Sequence, residues 1–150
     1  MRILMAAACG CGLALVIAGA AGGHALNPGT AKVAAAPEVV YAYDAVLESI
    51  RRTWESAMLF GFVHVLAAFA AAASPLGKVR LWAGWAFLAG VVLFSFTLQV
   101  RVFGQFLNSF ERDQPADPLG ALGMVAPFGG LAFMAGWVLL AIVAALKPKA

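Results

Sequence analysis

Ala57-Met-Leu-Phe-Gly-Phe-Val-His-Val-Leu-Ala-Ala-Phe-Ala-Ala-Ala-Ala73 holds one ionisable side chain, His64. A run so long and apolar predicts a membrane-spanning helix. An ionisable group held within lipid is costly and marks a functional site by default. His64 is therefore the first candidate for a role. Composition extends the membrane reading to the whole chain. Its 150 residues are 63% hydrophobic and 11% charged, against about 25% charged in soluble domains. The mean hydropathy is +0.91.

Three more apolar stretches join this one. The spans are expected at 3–23, 57–73, 81–100 and 122–146, with outer loops at 24–56 and 101–121. Each is long enough for a ~30 Å hydrocarbon core at ~1.5 Å per residue. Ser74-Pro75-Leu76-Gly77 reads as the turn after the second span. Pro127 falls near the start of the fourth, where a missing N–H costs least. The first stretch also resembles a signal peptide, with Arg2 ahead of the apolar run and Ala18-Gly-Ala20 as a cleavage site. Its apolar part exceeds a typical signal core of ~7–15 residues, which favours a retained helix. Cys9 and Cys11 are two apart, so a helix turns them to nearly opposite sides; they read as small packing residues.

Charge sets the expected orientation. With both termini inside, the inner face carries Arg2, Lys78, Arg80, Lys147 and Lys149 and no acid. The outer face carries Lys32, Arg51, Arg52, Arg101 and Arg112 and all seven acids. Basic residues alone balance, but the inner ones sit in tails and one short loop close to helix ends, where they count most. Trp82 and Trp85 then mark the inner interface and Trp54 the outer one. The formal charge of +3 comes without a basic cluster interleaved with aromatics, so nucleic acid is not an expected partner.

In the first outer loop, Leu26–Pro37 reads as irregular. Glu38–Ser56 places Val39, Tyr43, Val46, Leu47, Ile50 and Trp54 on one face and charges on the other. This predicts an amphipathic helix lying at the outer interface. The competing reading is an outward extension of the second span. The expected fold is all-α: a four-transmembrane-helix bundle with an extra amphipathic interfacial helix before the second span.

The polar groups within the spans gather in the outer half. His24 ends the first span, and His64 lies ~10 Å below the outer end of the second. Ser95 and Gln99 are four apart and share a face of the third. His24, His64, Ser95 and Gln99 form a polar cluster that serves either as interhelical hydrogen bonding or as a ligand pocket. Gly129, Gly130 and Gly136 offer close-contact surface on the fourth span. Trp137 reads as packing, with an indole N–H that needs a partner if buried. Two histidines without a nearby acid or thiol are too few for a protein-only metal site. No metal or cofactor is expected, although paired histidines could in principle hold haem. Catalytic motifs such as Gly-x-Ser-x-Gly, His-Glu-x-x-His, Cys-x-x-Cys and a phosphate-binding glycine loop are absent from the sequence. An enzyme is not expected.

Four segments carry a resemblance. They are Gly22-Gly-His-Ala-Leu26, Ala57 with His64-Val-Leu-Ala67, Gly90-Val-Val-Leu-Phe-Ser95, and Ala126-Pro-Phe-Gly-Gly-Leu-Ala-Phe-Met-Ala-Gly-Trp137. In this order they resemble the domain-of-unknown-function 423 family, which includes the transmembrane protein 256 proteins. The resemblance implies a four-helix integral protein of the bacterial inner membrane or, in eukaryotic members, of mitochondria. It implies no activity. Phe60, Phe96, Thr97, Gln99 and Ala126 depart from the family pattern, and those at 60, 99 and 126 remove hydroxyls, which favours packing. The expected role is structural or accessory to other membrane components. The alternative is a binder or conductor of a small ligand, ion or proton through the outer polar pocket.

Overall fold

The computed structural model describes residues 1–26, 37–75, 77–108 and 119–145, with side chains omitted for 37–46 and 108. The irregular stretch expected after Leu26, the middle of the second outer loop (109–118), and Lys147 and Lys149 lie outside these residues. Helix α1 is Arg2–Ala25 and α2 is Pro37–Ala73. The third span is one uninterrupted rod. It starts as α3 (Val79–Gly90), passes through a π-helical segment, Val91–Phe96, and ends as α4 (Thr97–Asn108). A 3-10 turn, Gly120–Met124, leads into α5, Ala126–Ala145. Among the described residues, four helices are long and apolar enough to cross a membrane.

The packing follows from glycine. Lipid tails are as apolar as leucine, so helices associate by close fit rather than by escape from water. Four contacts pair a glycine hollow with a large side chain from a neighbouring helix. Leu4 fills the hollow at Gly84, Leu15 that at Gly61, Phe133 that at Gly90, and Phe87 that at Gly136. The central core is Leu4, Ala8, Leu15, Val65, Ala68, Ala72, Ala83, Phe87, Leu88, Val91 and Phe133. Helices α2 and α3 are central. The outer helices bury only narrow stripes: Leu4, Ala8, Leu15 and Gly22 on α1, and Ala126, Gly129, Phe133 and Gly136 on α5.

Three expectations change at the outer end. Glu38–Ser56 is not set off as a helix of its own. No proline or glycine interrupts the chain between Glu38 and Phe60, so the helix runs unbroken from Pro37 into the span. Where its side chains are described, from Leu47 onward, the apolar face is covered by protein. Leu47, Ile50 and Trp54 pack with Leu26, Val102 and Phe106 into a second core. The same core explains why the third rod continues to Asn108, beyond the expected end at Val100. Trp54 is also not a lipid-facing anchor. It is only 9% exposed, and its indole occupies the hollow above Gly22.

At the opposite end, Gly77 turns the chain with φ +56°, a conformation that glycine adopts without steric cost. Arg80 closes the end of α2. Its Nη1 donates to the Ala71 carbonyl at 3.1 Å and to that of Ala72, and its Nε donates to Gly77 at 2.9 Å. A cation there satisfies orphan carbonyls and faces the negative end of the helix dipole. Replacing Arg80 with alanine is expected to lower stability by about 1 kcal/mol, measured by thermal unfolding in detergent. Lysine keeps the charge but not the fork of donors, so it should recover only part of the loss. An unchanged midpoint in R80A would remove the capping role.

Candidate functional site

His64 is buried, at 5% exposure, where α2 meets α5. Its ring stacks on Phe133 with centroids 3.6 Å apart and planes at 15°. Phe87 and Trp137 close around it at 5.6 and 6.2 Å. Both ring nitrogens are engaged. Nδ1 lies 2.8 Å from the Phe60 carbonyl, and Trp137 Nε1 donates to Nε2 at 3.2 Å. An indole nitrogen can only donate, and a carbonyl can only accept. The two partners together assign a neutral ring with its proton on Nδ1, donated to Phe60. The Nδ1 bond stays within α2, whereas the Trp137–His64 bond is interhelical, of the kind that holds membrane helices together.

The other candidates lie elsewhere. His24 is exposed near the end of α1. Ser95 is fully buried in the π-helical segment, and its Oγ has no hydrogen-bond partner. It faces Gly61, at whose position a Cβ would lie 3.1 Å from Oγ. Gln99 is 4% exposed, and its Nε2 reaches Met58 Sδ at 2.9 Å. None of these three is hydrogen-bonded to His64 in the described contacts. Direct hydrogen bonds thus do not join the four among the described residues: His64 bonds Trp137 on α5, Ser95 lies beside Gly61, and Gln99 reaches Met58.

On α5, Gly129 lies against the backbone of the π-helical segment. A Cβ there would stand 2.5 Å from Phe94 N and 2.9 Å from the Leu93 carbonyl carbon. Gly136 receives the Phe87 ring. Gly130 faces open space, with nothing within 4 Å of an added Cβ. Close contact thus falls to Gly129 and Gly136. Trp137, 50% exposed, is the partner that sequence reasoning left unassigned. Depth held the signal: His64 lies nine residues before the expected end of its span at Ala73, and Trp137 nine before the expected end of its own at Leu146.

Among the described residues, no group of three or more His, Cys, Asp or Glu is placed to hold a metal ion. A cavity of about 460 Å³ lies between α1 and α2. Its lining is Gly19, Gly22, Gly23, Leu26, Arg51, Trp54, Glu55 and Met58. It includes none of the four polar candidates. Both cysteines are free thiols, and Cys9 is exposed instead of packed.

The long apolar helices, the glycine-fitted contacts and the buried His64–Trp137 bond define a small α-helical multi-pass membrane protein. A family profile, Protein of unknown function (DUF423), matches residues 18–130, and the chain belongs to that family. It is similar to the UPF0382 membrane protein YwdK of Bacillus subtilis (strain 168), at 31% identity over 101 residues, covering 64% of this chain and 70% of the relative. It is also similar to the UPF0382 membrane protein SAB0533 of Staphylococcus aureus (strain bovine RF122 / ET3-1). Identity there is 31% over 96 residues, 63% of this chain and 67% of the relative. No solved structure matches the chain.

Proposed function

We propose that this protein is a structural or accessory component of the bacterial inner membrane, with both termini cytoplasmic, and that it associates with other membrane proteins. The observation that carries this reading is the engagement of His64. Both its ring nitrogens are spent on contacts inside the bundle, and the described cavity reaches none of the polar candidates. His64 and Gln99 are bonded inside the bundle, which leaves the surface to do the work. The first and fourth spans are the least buried. Ile3, Leu13, Val16 and Ile17 on α1, and Phe128, Leu131, Met134, Val138 and Ile142 on α5, are all exposed.

Orientation rests on charge and aromatics. Trp82 and Trp85 are exposed, at 71% and 45%, beside Lys78 and Arg80, as expected of an inner interfacial belt. On α2, the charges of Glu48, Arg51, Arg52 and Glu55 cannot lie in hydrocarbon. The outer boundary therefore falls near Glu55, and the second core extends the bundle beyond it.

Affinity purification in mild detergent, read by mass spectrometry and an absorption spectrum, tests the proposal. A reproducible, near-stoichiometric membrane partner and no Soret band are expected. Isolation of the chain alone from native-membrane nanodiscs would overturn the accessory reading. A Soret band would overturn the scaffold role of the histidines.

A further inference from the structure

The cavity between α1 and α2 is unexplained by the scaffold, and it goes beyond the accessory role. The two helices run antiparallel, pairing Gly12 with Val65, Leu15 with Gly61, Gly19 with Met58 and Gly22 with Trp54. All four pairings are filled hollows or ordinary contacts. Gly23 differs. It lines the cavity, yet an added Cβ would meet nothing within 4 Å. No protein contact within 4 Å requires glycine there, and a large side chain at this lining position would enter the cavity of about 460 Å³.

The cavity is amphipathic along its length. Gly19 and Met58 form its apolar end, and Arg51 and Glu55 stand at the polar boundary of α2. Arg51 spends Nε and Nη2 on Glu48, at 3.0 and 2.9 Å. Its Nη1 is 3.8 Å from Glu55 Oε1, beyond hydrogen-bonding distance. One donor and one carboxylate are thus left side by side with bonding capacity to spare. The charges along this edge cancel: Arg51 and Arg52 against Glu48 and Glu55. A net-negative lipid gains no overall attraction from such a patch, whereas a headgroup with separated opposite charges matches both groups.

We propose that this cleft binds one amino-phospholipid, with its phosphodiester on Arg51, its primary ammonium on Glu55 and the start of an acyl chain lying over Gly19, Gly23 and Met58. Charge-assisted hydrogen bonds favour a primary ammonium, which has N–H groups to donate, over a quaternary one, which has none.

The test is native mass spectrometry of the full-length protein, released from detergent micelles containing equal amounts of phosphatidylethanolamine, phosphatidylcholine and phosphatidylglycerol with matched chains. A single phosphatidylethanolamine adduct is expected, roughly tenfold more abundant than either competitor. Gly23→Leu should fill the cleft and remove the adduct, with the unfolding midpoint retained. Glu55→Gln should bring phosphatidylethanolamine down to the phosphatidylcholine level. If Gly23→Leu does not fold, the selectivity of Glu55→Gln decides. Equal adducts of all three lipids, a preference for phosphatidylglycerol, or selectivity unaltered in Glu55→Gln would each overturn the proposal.

Discussion

Replacing Gly129 with alanine is expected to destabilise the bundle by roughly 2–3 kcal/mol, while the same replacement at Gly130 costs nothing. The two residues are neighbours on one helix and differ only in what they face. At Gly129 the added methyl would press on backbone, 2.5 Å from Phe94 N and 2.9 Å from the Leu93 carbonyl carbon. A flexible side chain could swing away, but main chain cannot. The obstructed segment is also the π-helical stretch Val91–Phe96, so α5 must either move outward or force that stretch to rewind. Moving outward pulls Phe133 from the hollow at Gly90 and from the His64 ring it stacks on. At Gly130 the methyl enters open space, and alanine is the better helix former by up to ~1 kcal/mol. Denaturant titration of the two variants in detergent gives the comparison. Equal losses would mean that α5 does not cross the third rod at Gly129.

Much of this arrangement is legible in the sequence, and the illegible part has a physical cause. Length and apolarity announce a membrane span residue by residue, because lipid demands a helix whatever its neighbours do. The four spans are therefore readable without knowing how they pack. The role of Glu38–Ser56 is different. A face bearing Leu47, Ile50 and Trp54 looks the same whether lipid or protein covers it. The cover, Val102 and Phe106, lies on a stretch beyond the expected end of the third span. Pairing in the polar cluster was hidden for a related reason. Depth placed His24, His64, Ser95 and Gln99 in one half of the membrane, but depth does not report azimuth. A helix advances about 100° per residue, so small rotations decide whether His64 meets Ser95 or Trp137. The π-helical segment adds a further shift in azimuth along the third rod that no residue pattern announces. Ser95, left without a partner inside it, shows that chemical suitability for a hydrogen bond does not ensure one.

Removing the His64 side chain should cost roughly 2–4 kcal/mol, and the loss should divide into a large packing part and a smaller polar part. His64→Ala opens a void against Phe133, Phe87 and Trp137, the three rings around it. His64→Phe refills the void and keeps the stack but loses both hydrogen bonds. Trp137→Phe removes the indole N–H together with the five-membered ring, keeps a six-membered ring at the half-exposed site and leaves Nε2 of His64 unpaired, which should cost about 1 kcal/mol. The double variant, phenylalanine at both positions, leaves no orphaned group across the α2–α5 contact. Its loss should therefore be smaller than the sum of the two single losses, because an unpaired buried polar atom is worse than an apolar pair of similar shape. Strict additivity in that cycle would break the link between His64 and Trp137. A stable His64→Ala protein that had lost a partner or ligand would reverse the assignment, making His64 a binding residue that the bundle does not need. Stability lost in His64→Ala and largely recovered in His64→Phe would instead identify the one ionisable side chain of this span as a packing element whose ring fits between its neighbours.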